Sequence, residues 1–200
     1  MTNNILNFKI ISKIFSDFIK NPSASFEYKE RLNQLIGLNI KINQELWNLE
    51  DSARMIELGS EHIATTKQEI DKNNQSRNDL IREIDIEIVN QIDVLSVHQG
   101  QFYSESPGMI IDRLAILFIK LSVIRDLLSV IKEKNLQEDY KEKESIIIKH
   151  IDYIGNFLDS YFTKLAHKEV FFEIQQSVKI YNDKRIREYI KILKNKESAR

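Results

Sequence analysis

Apolar residues recur at steps of three and four along most of the chain, the period of α-helices that turn one face to a core. Leu35, Leu38, Ile42, Leu46, Leu49, Ala53 and Ile56 form one such stripe, and Ile70, Ile81, Ile84, Ile88, Ile92 and Leu95 form a second. Ile147, Ile151, Ile154, Phe157, Leu158, Tyr161 and Phe162 form a third. The stretch Met109–Lys134 is apolar nearly all round, as a helix buried on every side would be. Breaker clusters at Asn21-Pro22-Ser23 and Gly59-Ser60 separate these periods. The pattern predicts helices over about Asn4–Lys20, Ser25–Leu58, Thr65–Val97, Met109–Lys134, Glu138–Leu165 and Lys168–Lys194, the last broken near Tyr181-Asn182-Asp183. Gly37 allows a bend in the second helix. His98–Gly108 reads as a loop, and Asn195–Arg200 as a frayed tail. No repeat or linker interrupts the order, and heptads are not sustained along one seam. The expected fold is therefore all-α: a single-domain bundle of five to six long helices over residues 1–200, with Met109–Lys134 at its centre.

Composition narrows the function classes. Hydrophobic residues make up 42% and charged residues 30%, the balance of a folded domain. The net charge of -1 offers no footprint for nucleic acid or an anionic membrane. Cysteine is absent, which removes disulfides, thiolate metal sites and cysteine nucleophiles. Asp112, Arg113, Lys120, Arg125 and Asp126 interrupt the most apolar stretch and argue against a membrane span. Met1–Lys20 lacks the uninterrupted apolar core of an export signal, so the expected compartment is the cytoplasm. No phosphate-cradling glycine loop, H-E-x-x-H or G-x-S-x-G motif occurs. His62, His98, His150 and His167 are too far apart in sequence to chelate a metal from one helix face.

Two polar segments do not fit a plain bundle. In Trp47–Arg54 (WNLEDSAR), Trp47, Glu50, Asp51 and Arg54 line one strip, with Glu50 and Arg54 placed to be half-buried at the stripe's edge. In Asp71–Asp85, the residues Asp71, Asn74, Asn78 and Asp85 share a face bordering the isoleucine stripe. Arg77 projects from within that stripe, where a guanidinium is costly unless a carboxylate such as Glu50, Asp51 or Asp112 meets it. Arg113 lies in the first turn of the apolar helix, where the helix dipole disfavours a cation. It is expected to meet a carboxylate of the cluster or an anionic ligand. The ordinary explanation of such a cluster is an ion-pair and amide network that fixes helix register. The functional one is a polar pocket between helices.

These segments also carry a resemblance. W47-N-L-E-D-x-A-R54, I70-D-x-x-N-Q-x-R-N-D79 and I84-D85 are similar to the bacterial domain-of-unknown-function family 4254. So are Ser104–Leu114, with its acid, Pro-Gly and Ile-Asp-Arg-Leu, and Lys179-Ile180-Tyr181-Asn182-Asp183. The chain departs from the pattern in Asn48, where a His is expected, and in Arg82, where a Glu is expected. The resemblance implies a helical domain associated with glycosyltransferases of cell-surface polysaccharide synthesis, and it brings no reaction. The binding positions it implies are Trp47, Glu50, Asp51, Arg54, Asp71, Asn74, Gln75, Arg77, Asn78, Asp79, Glu105, Asp112, Arg113, Tyr181, Asn182 and Asp183, none of them assigned to a metal.

Three functions remain open at this stage. The first is an accessory or ligand-binding protein that takes a glycosyltransferase or a sugar phosphate as partner, with Trp47 stacking and Arg54, Arg77 or Arg113 holding phosphate. The second is a nucleotide or sugar-nucleotide pyrophosphohydrolase using Mg²⁺ or Mn²⁺, with Glu50, Asp51, Asp79, Glu83 and Asp85 as donors in a spacing unlike that of known helical enzymes of this class. The third is a self-associating structural bundle. The oligomeric state is left open.

Overall fold

The helical periods condense into six α-helices among the described residues of a computed structural model, which are 6–22, 28–92, 100–174 and 184–197. In chain order they are α1 (Phe8–Lys20), α2 (Arg31–Ala53), α3 (Gly59–Ile92), α4 (Pro107–Val130), α5 (Lys134–Ala166) and α6 (Arg187–Glu197). Short 3-10 turns cover Ile56–Leu58 and Lys184–Ile186. Two two-residue strands, β1 (Gln101–Phe102) and β2 (Val170–Phe171), pair in parallel.

Helix α4 is the central element, touching α1, α2, α3 and α5. Its apolar residues Ile110, Ile111, Leu114, Ala115 and Ile119 are all buried. Around it pack Ile11 and Phe15 of α1, Leu35, Ile36 and Ile40 of α2, Ile84 and Ile88 of α3, and Leu158, Tyr161 and Phe162 of α5. Ser106 caps the helix, its hydroxyl accepting from the Met109 amide at 3.3 Å, and Pro107 opens the first turn, where it has no N–H to lose. Among the described residues no helix is long and apolar enough to cross a membrane.

Several boundaries differ from the periodicity. Helix α2 starts at Arg31 rather than Ser25, and it ends at Ala53 rather than Leu58. The 3-10 turn intervenes, and Gly59-Ser60 opens α3 instead of closing α2. The buried face of α2 is also rotated. Leu38 and Ile56 are exposed, whereas Leu32, Leu35, Ile36, Asn39, Ile40, Asn43 and Leu46 point inward. Steps of three and four from Leu35 allow either face. The structure takes the one bearing two asparagines, because a carboxylate on α4 receives them.

The segment after α5 does not continue as a helix from Lys168. Lys168 adopts φ 59°, its amide donates to Leu165 O at 3.0 Å, and the Glu169 amide donates to Lys164 O at 2.9 Å. This six-to-one turn ends α5 and turns the chain into β2. The pairing partner, β1, lies inside the stretch expected to be loop. The Gln101 amide donates to Glu169 O at 2.9 Å and the Tyr103 amide to Phe171 O at 2.8 Å. Gly100, at φ 93°, is required there, since a Cβ would stand 2.2 Å from Glu169 O. Helix α6 runs to Glu197, through the first residues of the expected frayed tail. The expected break at Tyr181-Asn182-Asp183 lies outside the described residues.

Candidate functional site

The polar residues of α3 and α4 meet because the two helices run antiparallel with their small and charged positions in register. On α3, Arg77, Ile81 and Asp85 stand four residues apart and share one face. On α4, Gly108, Asp112 and Ile116 do the same. Gly108 lets the helices close. A Cβ there would lie 2.6 Å from Ile81 O and 2.7 Å from Asp85 Oδ1. Beside this contact opens a cleft of about 490 Å³, lined from α3 by Arg77, Asn78, Asp79, Ile81, Arg82 and Asp85, and from the other side by Ser106, Met109, Asp112, Arg113 and Ile116.

Asp112 is buried at the floor of the cleft. Its Oδ1 accepts from Asn39 Nδ2 at 2.9 Å and from Asn43 Nδ2 at 2.8 Å. Asn43 Nδ2 also lies 2.9 Å from Asn39 O, one helical turn back. Three helices are thus tied at one carboxylate once Arg77 of α3 is included. Arg77 Nε lies 3.7 Å from Asp112 Oδ1, beyond hydrogen-bond reach. The Arg77 side chain is 28% exposed, and its Nε is buried without a hydrogen-bond partner.

Asp85 is the second buried carboxylate. Its Oδ1 accepts from the Gly108 amide at 2.7 Å, and it is also hydrogen-bonded to the Ser106 side chain. It therefore sits as an anion at the N-terminus of α4, where the unpaired amides favour negative charge. Burial outweighs these bonds and pushes its carboxyl up to about 6. Tyr161 of α5 donates to Glu105 O at 3.0 Å. Burial, followed by the field of Asp85, raises its phenol above the ordinary tyrosine range.

Arg113 is paired with Glu105. Glu105 lines a second, smaller recess of about 280 Å³ with Phe102, Tyr103, Ser104 and Phe157.

The cleft brings together Arg77, Asn78, Asp79, Asp112 and Arg113, and Glu105 joins through Arg113. It leaves out the α2 strip. Trp47 is half-buried against the core, whereas Glu50 and Arg54, expected to be half-buried, are exposed. Asp51 is also exposed and accepts from Arg54 at 2.9 Å, a pair within one helix turn. The reason is that α2 outruns its packing: its last buried residue is Leu46. Asp71 is exposed, and Asn74 and Gln75 are half-buried outside the cleft lining, with Gln75 donating to Asp79 at 2.8 Å. Tyr181, Asn182 and Asp183 lie outside the described residues.

Asn39, Asn43, Ser106 and the capping role of Asp85 are absent from the sequence-based set. Two asparagines four apart inside Leu35–Leu46 were the available signal for the first pair, and Ser-Pro-Gly before an apolar helix for the cap.

The carboxylates do not converge as metal donors. Glu83 accepts from Arg31 at 2.7 Å, Asp51 is held by Arg54 and Asp79 by Gln75, and Asp85 faces a helix end. Among the described residues no three His, Cys, Asp or Glu side chains are grouped to hold a metal ion.

Compared with known proteins, residues 33–174 match the family described as "Protein of unknown function (DUF4254)". No curated protein and no solved structure matches the chain.

Proposed function

Since the chain belongs to the DUF4254 family, whose description assigns no activity, we propose from the cleft that this is a binding protein for a small anionic ligand of the phosphate or sugar-phosphate class. The observation that carries the reading is Arg77. Its side chain lines the cleft with Nε buried, 3.7 Å from Asp112 Oδ1 and without a hydrogen bond, and that carboxylate oxygen already accepts from two amides. A phosphate in the cleft would hydrogen-bond the terminal nitrogens of that guanidinium, which Asp112 does not bridge. Arg82 and Arg113 line the same space and supply further guanidinium groups. Of the facing carboxylates, Asp79 accepts from Gln75 and Asp85 is turned to the α4 amides.

The finer setting rests on the family resemblance. The partner it implies is a glycosyltransferase of cell-surface polysaccharide synthesis, and the compartment the cytoplasm. The dispersed carboxylates give the metal-dependent hydrolase no comparable support. Calorimetric titration with inorganic phosphate, pyrophosphate and glucose 1-phosphate tests the reading. We expect saturable binding that falls at least about tenfold in Arg77→Met and in the exposed-rim variant Arg82→Met. Silence of the folded wild-type protein toward all three probes would overturn it.

A further inference from the structure

The second recess lies directly beside the cleft, with the Arg113–Glu105 ion pair on the boundary: Arg113 lines one space and Glu105 the other. We infer that the recess of Phe102, Tyr103, Ser104, Glu105 and Phe157 is a subsite for the pyranose ring of a glycosyl phosphate whose anionic group occupies the α3–α4 cleft. The inference rests on the anion-binding reading for the charged half of the ligand, and on separate observations for the ring.

The first of these observations is that large aromatic faces are left open. Phe102 is 52% exposed and Phe157 46%, although each packs on a partly buried ring, Phe171 and Tyr103 respectively. The second is that they are held in place. The Phe102 ring packs on Phe171 at 5.5 Å, across the paired strands. The Phe157 ring is nearly parallel to Tyr103, at 17° and 6.2 Å; the Tyr103 amide donates to Phe171 O, and its hydroxyl accepts from Lys164 Nζ at 3.3 Å. Rings immobilised before binding lose little entropy when a ligand settles on them. The third is the polar rim. The Ser104 hydroxyl can give and take a hydrogen bond, and Glu105, whose Oε1 is held by Arg113, keeps Oε2 to accept from a ligand hydroxyl. A ring with a C–H face for the phenylalanines and a hydroxyl edge for Ser104 and Glu105 is a sugar. A recess of about 280 Å³ has room for one such ring.

The test compares inorganic phosphate, the 1-phosphates of glucose, galactose and N-acetylglucosamine, methyl α-D-glucopyranoside and adenosine 5′-phosphate by calorimetry. At least one sugar phosphate should bind about tenfold tighter than inorganic phosphate. Phe102→Ala and Phe157→Ala should each erase most of that advantage while leaving phosphate affinity unchanged, and Phe102→Tyr should keep it. No advantage for any sugar phosphate, or an equal loss for phosphate and sugar phosphate in both alanine variants, overturns the subsite and leaves the cleft standing. Binding of the neutral glycoside that depends on Phe102, in a protein silent toward phosphate, supports the subsite while refuting the anion cleft. Tighter binding of adenosine 5′-phosphate than of every sugar phosphate overturns the assignment to a sugar.

Discussion

Asp85→Asn isolates the energetic cost of the buried carboxylate at the head of α4. In the folded protein the group titrates at about 6, against an ordinary value of 3.8. A carboxyl raised on folding favours the folded state while it is neutral. That contribution is complete below pH 3.8 and disappears as the pH rises through 6. The shift of about two units corresponds to roughly 3 kcal/mol between the two ends of this window, at about 1.4 kcal/mol per unit. Asparagine keeps the essential geometry. Its Oδ1 still accepts from the Gly108 amide, and its Nδ2 can donate to Ser106 Oγ, which has lone pairs for both this group and the Met109 amide. Urea unfolding followed by circular dichroism at several pH values between 4 and 8 gives the difference between variant and wild type, in which the other carboxylates cancel. The variant should gain on the wild type as pH rises from about 4, by up to about 3 kcal/mol, with half of the gain reached near pH 5, midway between the unfolded and folded values, and a plateau above 6. A difference independent of pH, or one in which the wild type gains, would refute the reasoning.

Three further outcomes follow from the same helix contact. Gly108→Ala should destabilise by about 1–3 kcal/mol, read as a lower urea midpoint, because its Cβ meets the Ile81 backbone and cannot be accommodated by a rotamer change. Asp112→Leu should cost about 3–5 kcal/mol in the same assay, since it strands the amides of Asn39 and Asn43 and the Arg77 guanidinium together. Arg113→Met should change stability by less than about 1 kcal/mol, since its pair with Glu105 is half-exposed, while calorimetry shows weakened phosphate binding; a large loss of stability would instead make Arg113 structural.

The central helix was legible because its signal is local: α4 is apolar on every side, and only burial explains that. Arg77 was legible for the opposite reason, as one charge inside an apolar stripe. Asn39 and Asn43 were not. Their burial depends on an acceptor about 70 residues away, and by apolar pattern alone Leu38 and Ile42 make the more plausible inner face. Asp85 bonds to a backbone amide that has no side-chain signature. Glu50 and Arg54 are exposed despite their place at the stripe's edge, because a helical wheel records angle and ignores how far along its axis a helix stays covered. The paired strands are two residues long, too short for alternation to show.

That strand pair also bears on the order of folding. The α2–α3 and α4–α5 contacts join neighbours in the chain and can form early. Gln101 and Val170 are about 70 residues apart, and closing such a loop in an open chain costs on the order of 4 kcal/mol. Two ladder hydrogen bonds, each worth about 1 kcal/mol net, do not offset this. The clasp can therefore close only after α4 and α5 have docked and shortened the effective loop. The rings that line the smaller recess then contribute packing that the hydrogen bonds lack. In hydrogen exchange, the Gln101 and Tyr103 amides should accordingly open at lower free energy than those in the middle of α4. The recess should then be the last part of the molecule to assemble and the first to come apart.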